Sequence, residues 1–456
     1  MSIRNIFSAS ALLCVPVVLA IVPTSEASAA TVSVTNCNDS GSGSLRNAVA
    51  GAASGDTIDM TGLACREIDL TSGAIAIAQR DLTLVGGPPG LMRVDGNRNG
   101  SVFRHYGTGW LRIKRLNIAD GDYSNSTAPY GGCLYSAGRI ELLVSKVHGC
   151  RVRGNSSEDG AGGGIYAVGA VRLVYSRVTG NVVTTRGYGG AVVTRGHLTI
   201  NHGHISDNWA LFLGGVSAER GLTARYSTFA NNNGGTIYAL NGDLVLANST
   251  VSGNTETLEV GYPVIHWGRN GPGPAIGSAS IIDSTISGNE TSLSEIVRLS
   301  EGPKSIVNST IAFNATRQSS ELNGHCAASG APTVLVAAGT TLLDSTIISN
   351  NTCGGNPQYS VGETGFSDPS IVVGADNLIT SPAGLALPAG TITTNPGLAP
   401  LADNGGPTKT HALPADSPAI DMGNNEAALQ FDQRGPGFSR TSGTRTDIGA
   451  FERQQP

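Results

Sequence analysis

Five segments of the chain open on a glycine pair and run into a short alternating stretch: GGCLYSAG, GGGIYAVG, GGAVVTRG, GGVSAERG and GGTIYALNG. Aligned on the inward residues Leu134, Ile165, Val192, Ser217 and Ile237, they put Tyr135, Tyr166, Val193, Ala218 and Tyr238 in one outward column. If PVIHWG and EIVRLS continue the register, the column gains His266 and Arg298, and Trp267 adds a ring beside it. Arg195 and Arg220 fall two positions further on, with Glu219 between the columns. Rings can stack on the C–H faces of sugars. An arginine fork clamps carboxylate or sulfate through paired hydrogen bonds. The row therefore suits a long acidic polysaccharide, with Tyr135, Tyr166, Arg195, Glu219 and Trp267 as binding groups.

The same residues bear on catalysis. A polysaccharide lyase needs a base near C5 of a uronate and a cation on the carboxylate to stabilise an enolate-like transition state. Tyr238, His266, Arg220 and Arg298 have that chemistry. A glycoside hydrolase needs two carboxyls about 5–9.5 Å apart; Glu219, Asp207, Glu295 and Glu301 are available, but spacing fixes no pair. In GHLTINHGHISDN, His202 and His204 would share a strand face, with His197 nearby. Two such ligands could begin a metal site, yet no third is fixed, and a solvated polar strand accounts for them better. The chain has no HExxH, GxSxG or glycine loop ending in Gly-Lys, so zinc-protease, serine-hydrolase and P-loop chemistry lack support.

Something must bring residues more than a hundred positions apart into one row. ANSTVSGN, IDSTISGN, VNSTIAFN and LDSTIISN end at Asn254, Asn289, Asn314 and Asn350, and weaker copies end at Asn181, Asn208 and Asn232. Each copy alternates apolar and polar residues, the period of a strand. Unevenly spaced copies separated by a few tens of residues, with strand-type local pattern, mark a β-solenoid with insertions at its corners. Ser and Thr suit the pleat, Val or Ile points inward, and the last Asn turns the corner, where stacked amides can bond from rung to rung.

Residues 1–30 read as a secretory signal: Arg4, an apolar run from Ala9 to Val22, then Ala27-Ser28-Ala29 for cleavage. No later run is long and apolar enough for a membrane helix. Without Cys14, six cysteines remain, and pairing of sequence neighbours gives Cys37–Cys65, Cys133–Cys150 and Cys326–Cys353. Charged residues are only 14% and the net charge is −5, which argues against a nucleic-acid partner. The divisions are the signal, an N-terminal cap with first coils over 31–110, coils over 111–385, and a C-terminal region over 386–456.

These repeats resemble the right-handed parallel β-helix of pectate-lyase-like proteins, and the GG strands with their Asn turns are similar to repeats of polymorphic outer membrane proteins. The resemblance implies an all-β, right-handed parallel β-helix. CNDSGSGSLRNAVAGAASGDTIDM resembles the N-terminal cap of exported β-helix proteins, with a short helix near Ser44–Ala53. LADNGGPTKTHALPADSPAIDMGNN, DQRGPGFSR and TDIGAFE resemble the choice-of-anchor Q domain, which implies a C-terminal cap. Asp421, Asp432, Arg434, Asp447 and Glu452 would pair there; the acids could hold calcium, but ion pairs and turn caps account for them without it. No other cofactor is expected. Three functions follow: a secreted or cell-surface protein binding extracellular glycan, a lyase on uronate-containing glycans, or a non-catalytic structural or adhesion protein.

Overall fold

The computed structural model describes residues 29–455 except 89–91, 126, 155–158, 185, 257–260, 270–276, 293, 301, 318–331, 337–338, 358–360, 364–369 and 382–385. Cys326, Glu301 and most of the signal segment (residues 1–28) lie outside the described residues.

The chain winds as a parallel β-solenoid with three faces. The first runs unbroken from Thr31–Ser33 to Ser370–Val373 in thirteen strands, the second has sixteen strands, and the third runs from Glu67–Asp69 to Leu378–Ile379 in twelve. Alternation does what the sequence implies. On the first face Leu111, Ile140, Val171, Leu198, Leu222 and Leu244 stack inward in successive coils, all fully buried. On the third, Val147, Val178, Ile205, Phe229, Val251, Ile286 and Ile311 do the same. Among the described residues there is one helix, Leu45–Gly51, capped by Ser44, whose Oγ accepts from the Asn47 N–H. Leu45, Ala48 and Val49 lie over the first coil and close that end of the core.

The repeat's polar residues make the corners. Between the first and third faces one residue per coil adopts left-handed backbone: Tyr175, His202, Tyr226, Asn248, Asp283, Asn308 and Ser345 have φ of 43–51°. Gly203 after His202 excepted, the next residue is a buried Ser or Thr whose hydroxyl accepts the N–H of its counterpart one coil earlier, as Ser249 does for Ser227 and Ser284 for Ser249. After the third face, Asn181, Asn208, Asn232, Asn254, Asn289, Asn314 and Asn351 form a buried ladder. Each Nδ2 donates to the next Oδ1 at 2.8–2.9 Å, and each backbone N–H donates to the same oxygen. Cys150 begins this column, its N–H bonded to Asn181 Oδ1.

The last rung corrects the sequence alignment. Thr310 pairs with Ile347, not with Thr346. The copy LDSTIISN is therefore shifted by one residue, Asn351 takes the ladder position, and Asn350 takes the left-handed one (φ 56°).

Disulfides Cys37–Cys65 and Cys133–Cys150 form as expected. The tail does two things. Leu387 packs against the main core, and Ile392 accepts from Ile379 over the last coil. The chain then doubles back along the third face. Lys409 O accepts from Thr250 Oγ1, Gln433 Oε1 from Thr285 Oγ1, and Thr310 Oγ1 accepts the Ala450 N–H. His411 Nδ1 donates to Ala399 O, which leaves Nε2 to accept from Ser287 Oγ at 2.7 Å. The five expected residues do interlock: Arg434 pairs with Asp432, Asp447 Oδ1 accepts from Asp421 N–H, Glu452 Oε2 from Asp447 N–H, and Asp432 Oδ2 from Glu452 N–H. The carboxylates of Asp432, Asp447 and Glu452 are thereby committed to protein donors. Arg440 is the member the sequence did not reveal; fully buried, it reaches Asp283 at 3.4 Å and Glu452 at 3.6 Å.

Two outcomes follow from these networks. Asn254→Ala leaves the Asn232 N–H and Nδ2 without their acceptor, so it should lower unfolding free energy by about 2–4 kcal/mol in chemical denaturation. Asn350→Gly, at a left-handed corner, should cost almost nothing. Burial, partly offset by Arg440, raises Asp283 to about 8 and Glu452 to about 7. Between the ordinary carboxylate range and pH ~8 the folded protein thus holds protons that the unfolded chain has released. Stability falls as pH rises through that window, and Asp283→Asn should flatten the fall in melts between pH ~5 and ~8.5.

Candidate functional site

The second face carries the proposed row, and register fixes its members. Arg104, Tyr135, Tyr166, Val193, Ser217, Tyr238, His266 and Arg298 stand on successive coils. Ser217, expected inward, is outward; Val216 fills the core and Ala218 is buried. The cause is a missing residue. Other copies place Cys133, Gly164, Ala191 or Thr236 between the glycines and the inward residue, whereas Gly215 stands there itself. The shift aligns Glu219 with Arg195, at 4.0 Å, and moves Arg220 to the corner beyond the strand, where its N–H meets Gly196 O. Trp267 is a second correction. It points into the core between Ala239 and Leu299, fully buried, with Nε1 donating to Gly242 O. It cannot touch a glycan there.

A cleft of about 690 Å3 opens on this face. Tyr166, Val193, Arg195, Ser217, Glu219, Tyr238 and His266 from the row line one side. The other side was missed by sequence reasoning: Tyr130, Ala161, Tyr188 and Leu213 form a second register column just ahead of the glycine pairs. The signal was present as the residue preceding each pair, as in PYGG and GYGG. The glycines let the chain fold back here. A Cβ on Gly190 would meet Gly214 O at 2.6 Å, and Gly131, Gly162 and Gly189 have φ of 61–75°. Tyr262, Asp159 and Arg186 complete the wall, the last two as an ion pair at 3.2 Å.

Rings flank the cleft at both ends. Tyr166 stacks on Tyr130 (4.5 Å) and on Tyr135 (5.9 Å), and Arg104 lies 4.4 Å over the Tyr135 ring. Beyond the centre, Tyr188, Phe212, Tyr262, Tyr238 and His266 touch in sequence at 5.0–5.8 Å. From Tyr135 to His266 is five coil steps, about 24 Å at ~4.8 Å per strand.

Burial raises the phenols of Tyr166, Tyr188 and Tyr262, and Tyr238 furthest, so all are neutral donors at ordinary pH. Burial and then the Arg298 charge push His266 down to about 4, so it is a neutral imidazole; its Nδ1 is buried without a hydrogen-bond partner. Arg298 itself is held by the buried Glu295 and by Ser294, one coil past the cleft. The row thus unites Tyr238 and His266 but leaves Arg220 apart and Arg298 engaged. His202 and His204 share a different recess, and His197 bonds to Arg220 O and Thr223 Oγ1. Among the described residues the one cluster of three acidic or imidazole ligands is Glu67, Asp69 and Asp95, and Arg93 already pairs with Glu67 and Asp95.

The fold and cleft define a parallel β-solenoid with a ring-lined lateral groove. A solved structure, that of the pectate lyase Pel9A, is similar to this chain with a TM-score of 0.45 and 13% identity, over 93% of this chain and 97% of that one. No family model matches the chain, and no curated protein matches it. No described helix is long and apolar enough to cross a membrane.

The His266 environment is open to direct measurement. Its imidazole C–H signals in NMR should titrate near 4, and Arg298→Gln should raise that midpoint by removing the nearby positive charge.

Proposed function

We propose that the protein is exported and binds an acidic extracellular polysaccharide in the groove of its second face. The observation that carries this reading is the cleft between two ring clusters, with the Arg195–Glu219 pair at its centre. Phenol hydroxyls supply neutral hydrogen bonds to sugar hydroxyls, and the stacked rings supply apolar faces. Arg195 is half-exposed and only loosely paired with Glu219, so a sugar carboxylate can take over its fork. Two disulfides accord with an oxidising compartment. The choice-of-anchor Q-like tail braces the solenoid from the third face.

A second reading, β-elimination on a uronate, is favoured by Tyr238 beside a neutral His266. The commitment of Arg298 to Glu295 weighs against it, because the cation next to His266 in the row is already engaged and would have to leave its partner to hold the enolate-like charge.

Calorimetry with polygalacturonate oligomers tests both. Tyr166→Ala and Arg195→Ala should each weaken binding about tenfold, and Arg220→Ala, at the corner, should leave it unchanged. Unchanged affinity in both cleft variants would end the binding reading. An ultraviolet-absorbing unsaturated product that disappears in His266→Ala would replace it with the lyase.

A further inference from the structure

On the second face Arg195, Arg186 and Arg298 each have a carboxylate partner, in Glu219, Asp159 and Glu295, while Arg104 lies over the Tyr135 ring. The third face differs where the tail does not cover it. Arg93, at its start, is taken by Glu67, Asp95 and Asp120. On the following coils Asn117, Lys146, Arg177 and His204 occupy one outward register position. Lys146 and Arg177 have no carboxylate in ion-pair contact among the described residues. The acids nearby are engaged elsewhere: Asp120 with Arg93 and Arg98, Asp207 with Ser206 Oγ and Asn231 Nδ2.

Next to this strip is a recess of about 250 Å3, bounded by Tyr175, Arg177, His202, His204, Tyr226 and Thr228, with Pro407 marking the edge of the docked tail. No carboxylate lines it. Three consecutive left-handed corners hold Tyr175, His202 and Tyr226 one above another at 4.5 and 5.1 Å. A lining of guanidinium, imidazole and hydroxyl groups without an acid favours an anion. Successive coils repeat every ~4.8 Å, about one sugar unit of an extended glycan.

We propose that Lys146 and Arg177, together with the recess beside His204, bind the acidic groups of a linear polysaccharide carrying one anionic group on each sugar, laid along the solenoid axis. This site is separate from the second-face groove and does not depend on it. A stacked single-stranded nucleic acid fits less well, because the middle ring, His202, is covered on both faces by Tyr175 and Tyr226, which leaves no row of open faces for successive bases.

Amine acylation of the folded protein, read by mass spectrometry at Lys146, locates the ligand. Polygalacturonate or dextran sulfate oligomers should protect Lys146, and the half-protecting concentration should rise with sodium chloride. Arg177→Ala should raise that concentration about tenfold, while Tyr166→Ala, in the other groove, should leave it unchanged. The proposal is overturned if Lys146 labels equally with and without oligomer. It is also overturned if neutral dextran or inorganic phosphate protects equally well, or if protection survives intact in Arg177→Ala. Loss of protection in Tyr166→Ala would place the glycan in the second-face groove instead.

Discussion

The structure depends on one constraint: a polar side chain buried at a corner must find its partner in its own copy one coil away. Asn232, Asn254 and Asn289 show it most plainly. Each is buried, each donates to the next amide oxygen, and each also bonds a backbone carbonyl of a neighbouring coil. An amide buried without these bonds would cost more than a kilocalorie or two, so the column tolerates no gap inside it. The left-handed residues ahead of the Ser and Asn columns belong to the same device. They turn the chain sharply enough that the next strand falls directly over its predecessor.

That constraint acts at two corners and leaves the chain free just beyond the second of them. Ladders guard the passages from first to third face and from third to second. Between the Asn ladder and the glycine pairs the chain length varies, and the insertions there fold outward as the short side strands Gly160–Ala161 and Gly187–Tyr188 and the long strand Trp209–Ala218. The groove exists because of this freedom. Its inner side is regular face, and its outer side is insertion, held close by glycines whose backbones nearly touch. Rigidity and variability thus lie next to each other in one coil, an arrangement that lets a binding surface change without disturbing the core.

The same division explains what could be read from sequence. Solenoid architecture, strand alternation, both described disulfides and the row Tyr135, Tyr166, Tyr238, His266 were legible, because they follow from residue type within each copy. Phase was not always legible. GGVSAERG lacks one residue between its glycines and its core position, and LDSTIISN slips by one, so matching strings put Ser217 and Asn350 where Val216 and Asn351 belong. In a period-two structure a single-residue slip reverses the side a residue faces, which is why Arg220 left the row and Glu219 joined it. Trp267 failed for another reason: a tryptophan after an outward histidine must face inward, and alternation, more than ring chemistry, decided its place. The outer wall carried a local signal in the residue before each glycine pair that went unread, whereas Arg440 depends on contacts between distant segments that no local pattern encodes.

Charge placement completes the picture. On the covered part of the third face the outward residues are Thr250, Thr285, Thr310 and Ile347, small or apolar, and the tail buries them. On the bare part the same register position holds Lys146, Arg177 and His204. One column of one sheet therefore changes character where the tail's cover ends, at Pro407 and Thr228. Desolvation explains the change. Under the tail a charge would need a buried partner, and unpaired cations are stable only where water reaches them. The extent of the tail thus sets the extent of the exposed basic strip, and the two halves of this face serve different ends: one anchors the chain's own C-terminal region, the other presents charge to the surroundings.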